Sequence, residues 1–277
     1  MRIAVLSGKG GTGKTFVSVN LAAAARVAAY IDCDAEEPDG HLFFKPENTL
    51  ETKVYSMIPV IHPDACDGCR QCVDFCRFNA LAFVQGKPKV FAEVCHACGG
   101  CALVCPNGAI TEERREIGRV VSGVSDGIPV ITSMLNPGEA SAVPVIKAAL
   151  RIGAYPDAVI DSPPGSGCPV METVSAADYC LIVAEPTAFG FHNFRMVHRL
   201  VTLLHKPFGV IVNKADSAYP PLEAYCKTHH APILTRILYS TKLAEIGARG
   251  DIAARRSAEL AQLFKGLWDT IRAEAAI

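Results

Sequence analysis

The stretch MRIAVLSGKGGTGKTF (residues 1–16) decides the fold of this chain of 277 residues. Residues 2–7 are an apolar run bounded by glycine, which predicts a buried strand. Residues 14–25 have helical spacing and are rich in alanine, which favours a helix. Between them, GKGGTGKT (residues 8–15) matches the pattern G-x4-G-K-S/T. A loop of this pattern between a strand and a helix is typical of a phosphate-binding P-loop.

The residue types of the P-loop predict how it would hold a nucleotide. Its glycines allow backbone N–H groups to point at phosphate oxygens, and the helix N-terminus adds a positive dipole. Lys14 is expected to reach the β- and γ-phosphates, and Thr15 is expected to bind Mg²⁺. The residues expected to contact the nucleotide are Gly8, Lys9, Gly10, Gly11, Thr12, Gly13, Lys14 and Thr15.

The rest of the chain outside the cysteine-rich segment alternates strands and helices. Short apolar runs predict buried strands at residues 28–33, 158–161, 180–184 and 208–212. Helix candidates lie near residues 139–151, 190–204 and 219–229. Such alternation forms a parallel sheet with helices on both faces. The predicted fold class is therefore α/β: a P-loop NTPase with a mostly parallel sheet covered by helices on both faces.

The composition limits the possible partners and locations. Half of the residues are hydrophobic and the formal net charge is −1, so no strong positive field attracts nucleic acid. No apolar run approaches the roughly 20 residues of a membrane span, and the N-terminus lacks the flanks of a signal peptide. We expect a cytoplasmic protein that binds no nucleic acid and is not stably inserted in a membrane. Residues 257–277 predict a packing helix, since its polar face is not basic.

Eight of the twelve cysteines lie in residues 66–105, where the alternation of strands and helices stops. A disulfide framework is typical of small secreted domains, so ligation of a metal or an iron–sulfur cluster is favoured. The pattern Cys-x2-Cys-x2-Cys-x3-Cys occurs twice, 29 residues apart. We predict an inserted α+β domain at residues 60–112, within a discontinuous P-loop domain at residues 1–59 and 113–277.

The two cysteine runs resemble those of bacterial ferredoxins with two [4Fe–4S] clusters, in which the fourth cysteine of each run ligates the other cluster. The resemblance implies one cluster held by Cys66, Cys69, Cys72 and Cys105, and a second held by Cys95, Cys98, Cys101 and Cys76. The alternative is zinc, which four ligands in paired Cys-x2-Cys knuckles would satisfy. Two complete runs of four favour the clusters. Arg77 stands where the ferredoxin pattern has proline, and this difference is expected to leave ligation intact.

The P-loop domain also resembles a particular family. KGGTGKT (9–15) is similar to the deviant Walker A motif of the MinD/ParA class of P-loop ATPases, which includes the nitrogenase iron protein and the Mrp-type iron–sulfur carriers. IDCDAEEPD (31–39) resembles the first switch of that class. DAVIDSPPG (157–165) resembles its Walker B motif and second switch, and IVNKAD (211–216) resembles the end of its base-recognition strand.

This resemblance implies roles for single residues. Lys9 would cross a dimer interface to the partner's ATP, and Lys9 and Lys14 would stabilise charge during hydrolysis. Asp34 would orient the attacking water and lie near the metal, Asp161 would hold Mg²⁺ through water, and Asn213 would contact adenine. The implied cofactors are ATP, Mg²⁺ and the two clusters. The implied assembly is a homodimer or a heterodimer with a paralogous ATPase.

Cys168 lies seven residues after Asp161, within the second switch. The offset resembles that of a cluster ligand in the nitrogenase iron protein. The upstream partner ligand is expected near residues 132–139, and that segment contains no cysteine. We therefore expect Cys168 to be a core or switch thiol.

Three functions are compatible with this organisation. The first, which we favour, couples nucleotide-driven changes in the switches and the dimer to electron transfer through the clusters, toward a redox partner or a metalloprotein. The second is an ATP-dependent carrier or assembly factor for iron–sulfur clusters or metallocofactors. The third, a MinD/ParA-type positioning ATPase, needs a membrane-binding tail or a DNA-binding surface, and the near-neutral charge favours neither.

Overall fold

The computed structural model describes residues 1–275, which contain a nine-stranded sheet and a separate two-stranded hairpin. The strands are β1 (Arg2–Leu6), β2 (Ala29–Asp32), β3 (Glu47–Ile61), β4 (Leu81–Val84), β5 (Lys87–Val90), β6 (Ile110–Ser125), β7 (Ile128–Leu135), β8 (Ala158–Asp161), β9 (Tyr179–Ala184), β10 (Phe208–Asn213) and β11 (Ile233–Ile237). The order in the large sheet is β11-β10-β9-β1-β8-β2-β7-β6-β3.

The helices lie between these strands. They are α1 (Lys14–Ala25), α2 (Gly40–Phe44), α3 (Gln71–Phe75), α4 (Gly100–Leu103), α5 (Val143–Ile152), α6 (Cys168–Ser175), α7 (Ala188–Leu203), α8 (Pro220–Thr228), α9 (Thr241–Ala248), α10 (Ala253–Arg256) and α11 (Ala258–Ala275), with a short 3₁₀ helix at Ala92–Val94. Among the described residues, no helix combines the length and apolar character needed to cross a membrane.

Seven neighbouring strands, from β11 to β7, run parallel. They are the short apolar runs of the sequence, and both of their faces are covered. On β1, Ile3 and Val5 pack in a cluster with α1 and α11, whereas Ala4 and Leu6 pack on the opposite face with α5, α6 and α7. The predicted α/β class, with a mostly parallel sheet and helices on both faces, is confirmed. The parallel arrangement also brings the carboxyl ends of β1, β2, β8 and β10 to one edge, where open sheets of this kind bind ligands.

The C-terminal helix α11 buries one apolar stripe against the sheet and α1. Phe264, Leu267, Trp268 and Ile271 lie in the same cluster as Ile3. This is the packing helix that the spacing of residues 257–277 predicts, although residues 276 and 277 lie outside the described part of the chain.

The two strands at the far edge, β6 and β3, run antiparallel and form a long ribbon. The sequence analysis missed β3, because most of its residues are exposed on both faces and give no apolar run. The ribbon contains a register irregularity opposite Val54 and Tyr55, where Ile117 has no direct partner in the ladder. The domain boundaries predicted at residues 59 and 112 fall inside these strands, where Pro59 and Glu112 are paired.

The cysteine-rich segment, residues 62–109, is attached to the end of this ribbon. Its two cysteine runs lead into two short helices, α3 and α4, whose preceding residues Arg70 and Gly99 both adopt left-handed backbone angles. These residues are 29 positions apart, so the repeat seen in the sequence is also a repeat of local structure. The hairpin β4–β5 lies between the runs, and a small core around Cys72, Leu81 and Ile110 holds the segment together.

Candidate functional site

The carboxyl edge of the sheet brings together one lysine and two carboxylates from distant parts of the chain. Lys14 Nζ lies 2.6 Å from Asp161 Oδ1 and 3.4 Å from Asp34 Oδ2. Lys14 is almost fully buried and Asp161 is completely buried. Burial lowers the pKa of Lys14 because it disfavours the charged form. The carboxylates of Asp161, Asp34 and Asp32 outweigh this effect and raise the pKa of Lys14 above its usual value. The buried lysine is therefore held charged by its partners.

The P-loop has the conformation that its glycines allow. Gly13, just before α1, has a φ of 94°, and a Cβ at this position would lie 2.2 Å from Asn213 Nδ2. That amide nitrogen donates a hydrogen bond to the carbonyl oxygen of Thr12 at 2.8 Å. Asn213, which the sequence analysis assigns to adenine, thus holds the P-loop itself as well as lining the cavity beside it.

This cavity has a volume of about 200 Å³ and begins at Gly13 and Asn213. Its other walls include Phe16, Ile237 and Leu238, so it is mainly apolar with one amide at its mouth. A mostly apolar cavity beside a phosphate-binding loop suits a purine ring. The walls contributed by β11 and α9 were missed by the sequence analysis, since nothing in their local pattern indicates a ligand.

Lys9 is paired within its own chain. Its Nζ lies 2.6 Å from Glu185 Oε2, while Lys214 Nζ lies 2.6 Å from Glu185 Oε1. Burial raises the pKa of Glu185, but hydrogen bonds from Lys214 and Lys9 outweigh it and lower that pKa below the usual value. Lys9 also lies 5.6 Å from the centre of the exposed Phe189 ring. The expected reach of Lys9 into a partner subunit stays a prediction, and it requires the pair with Glu185 to break.

Asp32 shapes the first switch from inside the protein. Its Oδ1 accepts the backbone N–H of Asp34 at 3.1 Å, and its Oδ2 accepts that of Gly40 at 2.8 Å. Asp32 is completely buried, and burial together with the charge of Asp161 raises the pKa of Asp32 well above its usual value. The side chain therefore fixes the loop of residues 33–40.

Asp34 is half-buried on that loop. Burial raises the pKa of Asp34 to about 6; the charge of Asp161 also raises it, and Lys14 opposes the change. Near neutral pH the carboxylate is mostly ionised but is close to its titration range. A group in this state can accept a proton from, or orient, a water molecule.

The remaining predicted residues of the nucleotide site lie nearby. Thr15 is half-buried in the first turn of α1, directly after Lys14. Cys168 is the exposed first residue of α6, so it is not a core thiol, and its expected place in the second switch stays a prediction. The sequence analysis missed Tyr30, a buried residue of β2 whose hydroxyl donates to Asp161 Oδ2 at 3.0 Å. A single tyrosine in an otherwise aliphatic strand is the only sequence signal that marks it.

Two of the cavities at the cysteine-rich segment are each lined by four cysteines. The larger, of about 230 Å³, is lined by Cys95, Cys98, Cys101 and Cys76. The smaller is lined by Cys66, Cys69, Cys72 and Cys105. Each cavity therefore combines three cysteines of one run with the last cysteine of the other. These are the two groups that the sequence analysis predicts from the ferredoxin resemblance.

The spacing of the cysteines bears on the kind of metal site they could form. Within residues 1–275, no three His, Cys, Asp or Glu side chains converge closely enough to hold one metal ion. A zinc ion needs four donors at about 2.3 Å, whereas a cubane cluster carries its thiolates on separate corners. Burial raises the pKa of Cys101 to about 11, so this thiol is protonated until a cation replaces its proton.

Comparison with known proteins identifies the family of the larger domain. Residues 3–253 match the family described as the CobQ/CobB/MinD/ParA nucleotide binding domain. An uncharacterised protein of Methanocaldococcus jannaschii is 33% identical over 222 residues, which are 77% of this chain and 78% of that protein. The cell-division ATPase MinD of Pyrococcus furiosus has a similar fold, with a TM-score of 0.57, 19% identity and 98% coverage of both chains.

A shorter similarity concerns a different kind of protein. The ferredoxin-type protein NapF of Escherichia coli is 40% identical over 50 residues, which are 16% of this chain and 30% of NapF.

Asp34→Asn is expected to stabilise the nucleotide-free protein at neutral and alkaline pH. The folded pKa of about 6 exceeds the usual 3.8, so the folded state binds the proton more tightly and loses stability as pH rises through this window. The neutral amide would remove that loss, which for a difference of about two pKa units is about 3 kcal/mol, or roughly 6 °C in Tm.

Thermal unfolding of both proteins between pH 8 and pH 5 measures this effect. The gain should be largest at pH 8 and shrink toward pH 5. Glu36→Gln, on an exposed residue of the same loop, is the matched control and should give no such trend. A gain that is constant across this pH range would contradict the assignment.

Proposed function

This chain belongs to the CobQ/CobB/MinD/ParA nucleotide-binding domain family, and we propose that it is an ATPase whose nucleotide state controls electron transfer through two [4Fe–4S] clusters. The observation that carries the proposal is the pair of cavities, each lined by four cysteines, in a segment attached to the sheet of the nucleotide site. The short similarity to a ferredoxin-type protein supports the same interpretation.

The residues at the carboxyl edge fit MgATP. The P-loop would bind the phosphates through its backbone N–H groups, and the apolar cavity beside Asn213 would accept the adenine. Thr15 and Asp161 would hold Mg²⁺, which when bound neutralises charge on the phosphates. Lys14 would leave Asp161 for the β- and γ-phosphates, and Asp34 would orient the water that attacks the γ-phosphorus and releases ADP.

The cysteines fit two clusters in the same way. Cys66, Cys69, Cys72 and Cys105 would hold one cluster, and Cys95, Cys98, Cys101 and Cys76 would hold the other. When bound, such clusters supply one-electron transfer. The crossed ligation supports electron transfer between the clusters, because each site combines a cysteine within one short helix with a cysteine just after the other helix.

Coupling between the two sites needs a physical connection, and Arg115 on β6 provides one. Its guanidinium makes two contacts of 2.9 and 2.8 Å with the carboxylate of Glu139 and lies 3.7 Å from Glu93, just before Cys95. Glu139 is in the loop that follows β7, and β7 ends with Leu135 N–H donating to the carbonyl of Ala35 in the first switch. A change in the switch would thus reach the cysteine-rich segment through Glu139 and Arg115.

The active assembly that we propose is a dimer, either of two copies of this chain or of this chain with a paralogous ATPase. Lys9 would leave Glu185 and reach the nucleotide of the partner. The electron acceptor would be a redox protein or a metalloprotein. A role without nucleic acid fits the near-neutral charge of the chain.

Paired cysteine substitutions test the crossed ligation. Each chain should contain about eight iron atoms when both clusters are bound. Cys76→Ala with Cys95→Ala should remove one cluster and leave about four iron atoms, because both residues belong to the same site. Cys76→Ala with Cys66→Ala should lose both clusters. Iron analysis and EPR measure the result, and Cys226→Ala, at a buried cysteine of α8, should keep all eight.

The reverse pattern would show that each run binds its own cluster. In that case the variant with Cys66→Ala and Cys76→Ala would keep about four iron atoms per chain. The variant with Cys76→Ala and Cys95→Ala would keep none.

An anaerobic redox titration followed by EPR, with and without MgATP, tests the control of electron transfer. MgATP should shift the potential or the line shape of at least one cluster. Lys14→Ala should abolish both ATP turnover and this shift while it leaves the iron content unchanged. Arg115→Gln should keep ATP turnover and iron content but weaken the shift, because it removes the link between Glu139 and Glu93.

Arg119→Gln is the matched control for Arg115→Gln, since Arg119 is on the same strand and pairs with Glu51 at 3.4 Å. It should behave like the wild type. If MgATP leaves both reducible clusters unchanged in the wild type, nucleotide does not control electron transfer, and the role as a carrier or assembly factor becomes the better explanation.

A further inference from the structure

We propose that Tyr30 is a positioning residue that orients the Asp161 carboxylate for Mg²⁺ and thereby sets the metal-dependent part of nucleotide affinity. This inference rests on the proposed nucleotide site and extends it to a residue outside the recognised motifs. Tyr30 lies on β2, which pairs in parallel with β8, so that Asp32 is opposite Asp161 and Tyr30 is two residues earlier.

The two oxygens of Asp161 have different partners. Lys14 Nζ occupies Oδ1 at 2.6 Å, and the Tyr30 hydroxyl donates to Oδ2 at 3.0 Å. Asp161 and Tyr30 are both completely buried, so no bulk water competes for this hydrogen bond. The Asp161 carboxylate is therefore held by the Lys14 ammonium at one oxygen and by the Tyr30 hydroxyl at the other.

Nucleotide binding should affect these two partners differently. Lys14 sits at the end of a flexible side chain, and the phosphates would compete for it. Tyr30 has no comparable freedom: its ring lies 4.7 Å from that of Phe44, and a Cβ on Gly40 would be 2.4 Å from the ring. If Lys14 turned to the phosphates, the Tyr30 hydroxyl would stay on Oδ2, and Oδ1 would be free to help hold Mg²⁺.

Tyr30→Phe tests the proposal in the full chain with its clusters bound. The substitution keeps the ring and its packing and removes only the hydroxyl. Affinity for ATP is measured by calorimetry in EDTA and over a series of Mg²⁺ concentrations. In EDTA, we expect the affinity for ATP to change less than about twofold. The Mg²⁺ concentration that gives half of the maximal gain in affinity should rise about tenfold, because the variant loses a hydrogen bond to a charged group.

Tyr179→Phe is the matched control. Tyr179 is another buried tyrosine on a strand next to β1, and its hydroxyl donates to a carboxylate, Glu274, at 3.1 Å. This carboxylate belongs to α11, away from the P-loop. Tyr179→Phe should therefore leave the Mg²⁺ dependence at the wild-type value, even if it lowers thermal stability as much as Tyr30→Phe does.

Two results would overturn the proposal. One is an unchanged Mg²⁺ dependence in Tyr30→Phe. The other is an equal loss of affinity with and without Mg²⁺, which would mean that the hydroxyl only supports the fold of the site. Failure of the proposed nucleotide site gives a different result, because the wild-type protein would then show no Mg²⁺-dependent binding of ATP at all.

Discussion

The ion pair between Lys14 and Asp161 is the interaction on which the nucleotide site depends. A charged pair without solvent is tolerated only when each partner is satisfied, and this requirement explains the groups around it. Asp34 adds a second carboxylate to the lysine, and Tyr30 takes the free oxygen of Asp161. In the absence of a ligand, Asp161 supplies Lys14 with the negative charge that phosphates would bring. Binding is therefore an exchange of partners within a pre-formed site.

The elements that local sequence determines were predicted closely. The helix at Lys14–Ala25 and the strand at Ala158–Asp161 have the predicted bounds, because the helical spacing and the apolar run that define them are contained in the elements themselves. The strand β3 was missed for the opposite reason: it is stabilised by pairing with β6, and its own residues are mostly exposed.

The candidate site also contains residues that the sequence predicts and contacts that only the structure shows. The residues of the P-loop and of the two cysteine runs follow from fixed spacings, and the resemblance to ferredoxins implies how the cysteines are grouped. The contact of Tyr30 with Asp161 joins residues 131 positions apart, and no local pattern records it. Asp32 lies in the segment that resembles the first switch, but only the structure shows that both of its carboxylate oxygens accept backbone N–H groups of that loop. The sequence motifs identify many of the residues that belong to the site. The topology of the sheet determines which of their side chains contact each other.

The ribbon of β3 and β6 also affects how the cysteine-rich segment folds. A segment of about fifty residues between two free ends would lose several kilocalories per mole in chain entropy when its ends meet. Here those ends leave from paired positions of one ladder, beside Ile61 and Ile110, so the sheet edge has already brought them together. Pairing of β3 with β6 thus also closes the ends of the cysteine-rich segment, and the segment can fold as the extension of that hairpin.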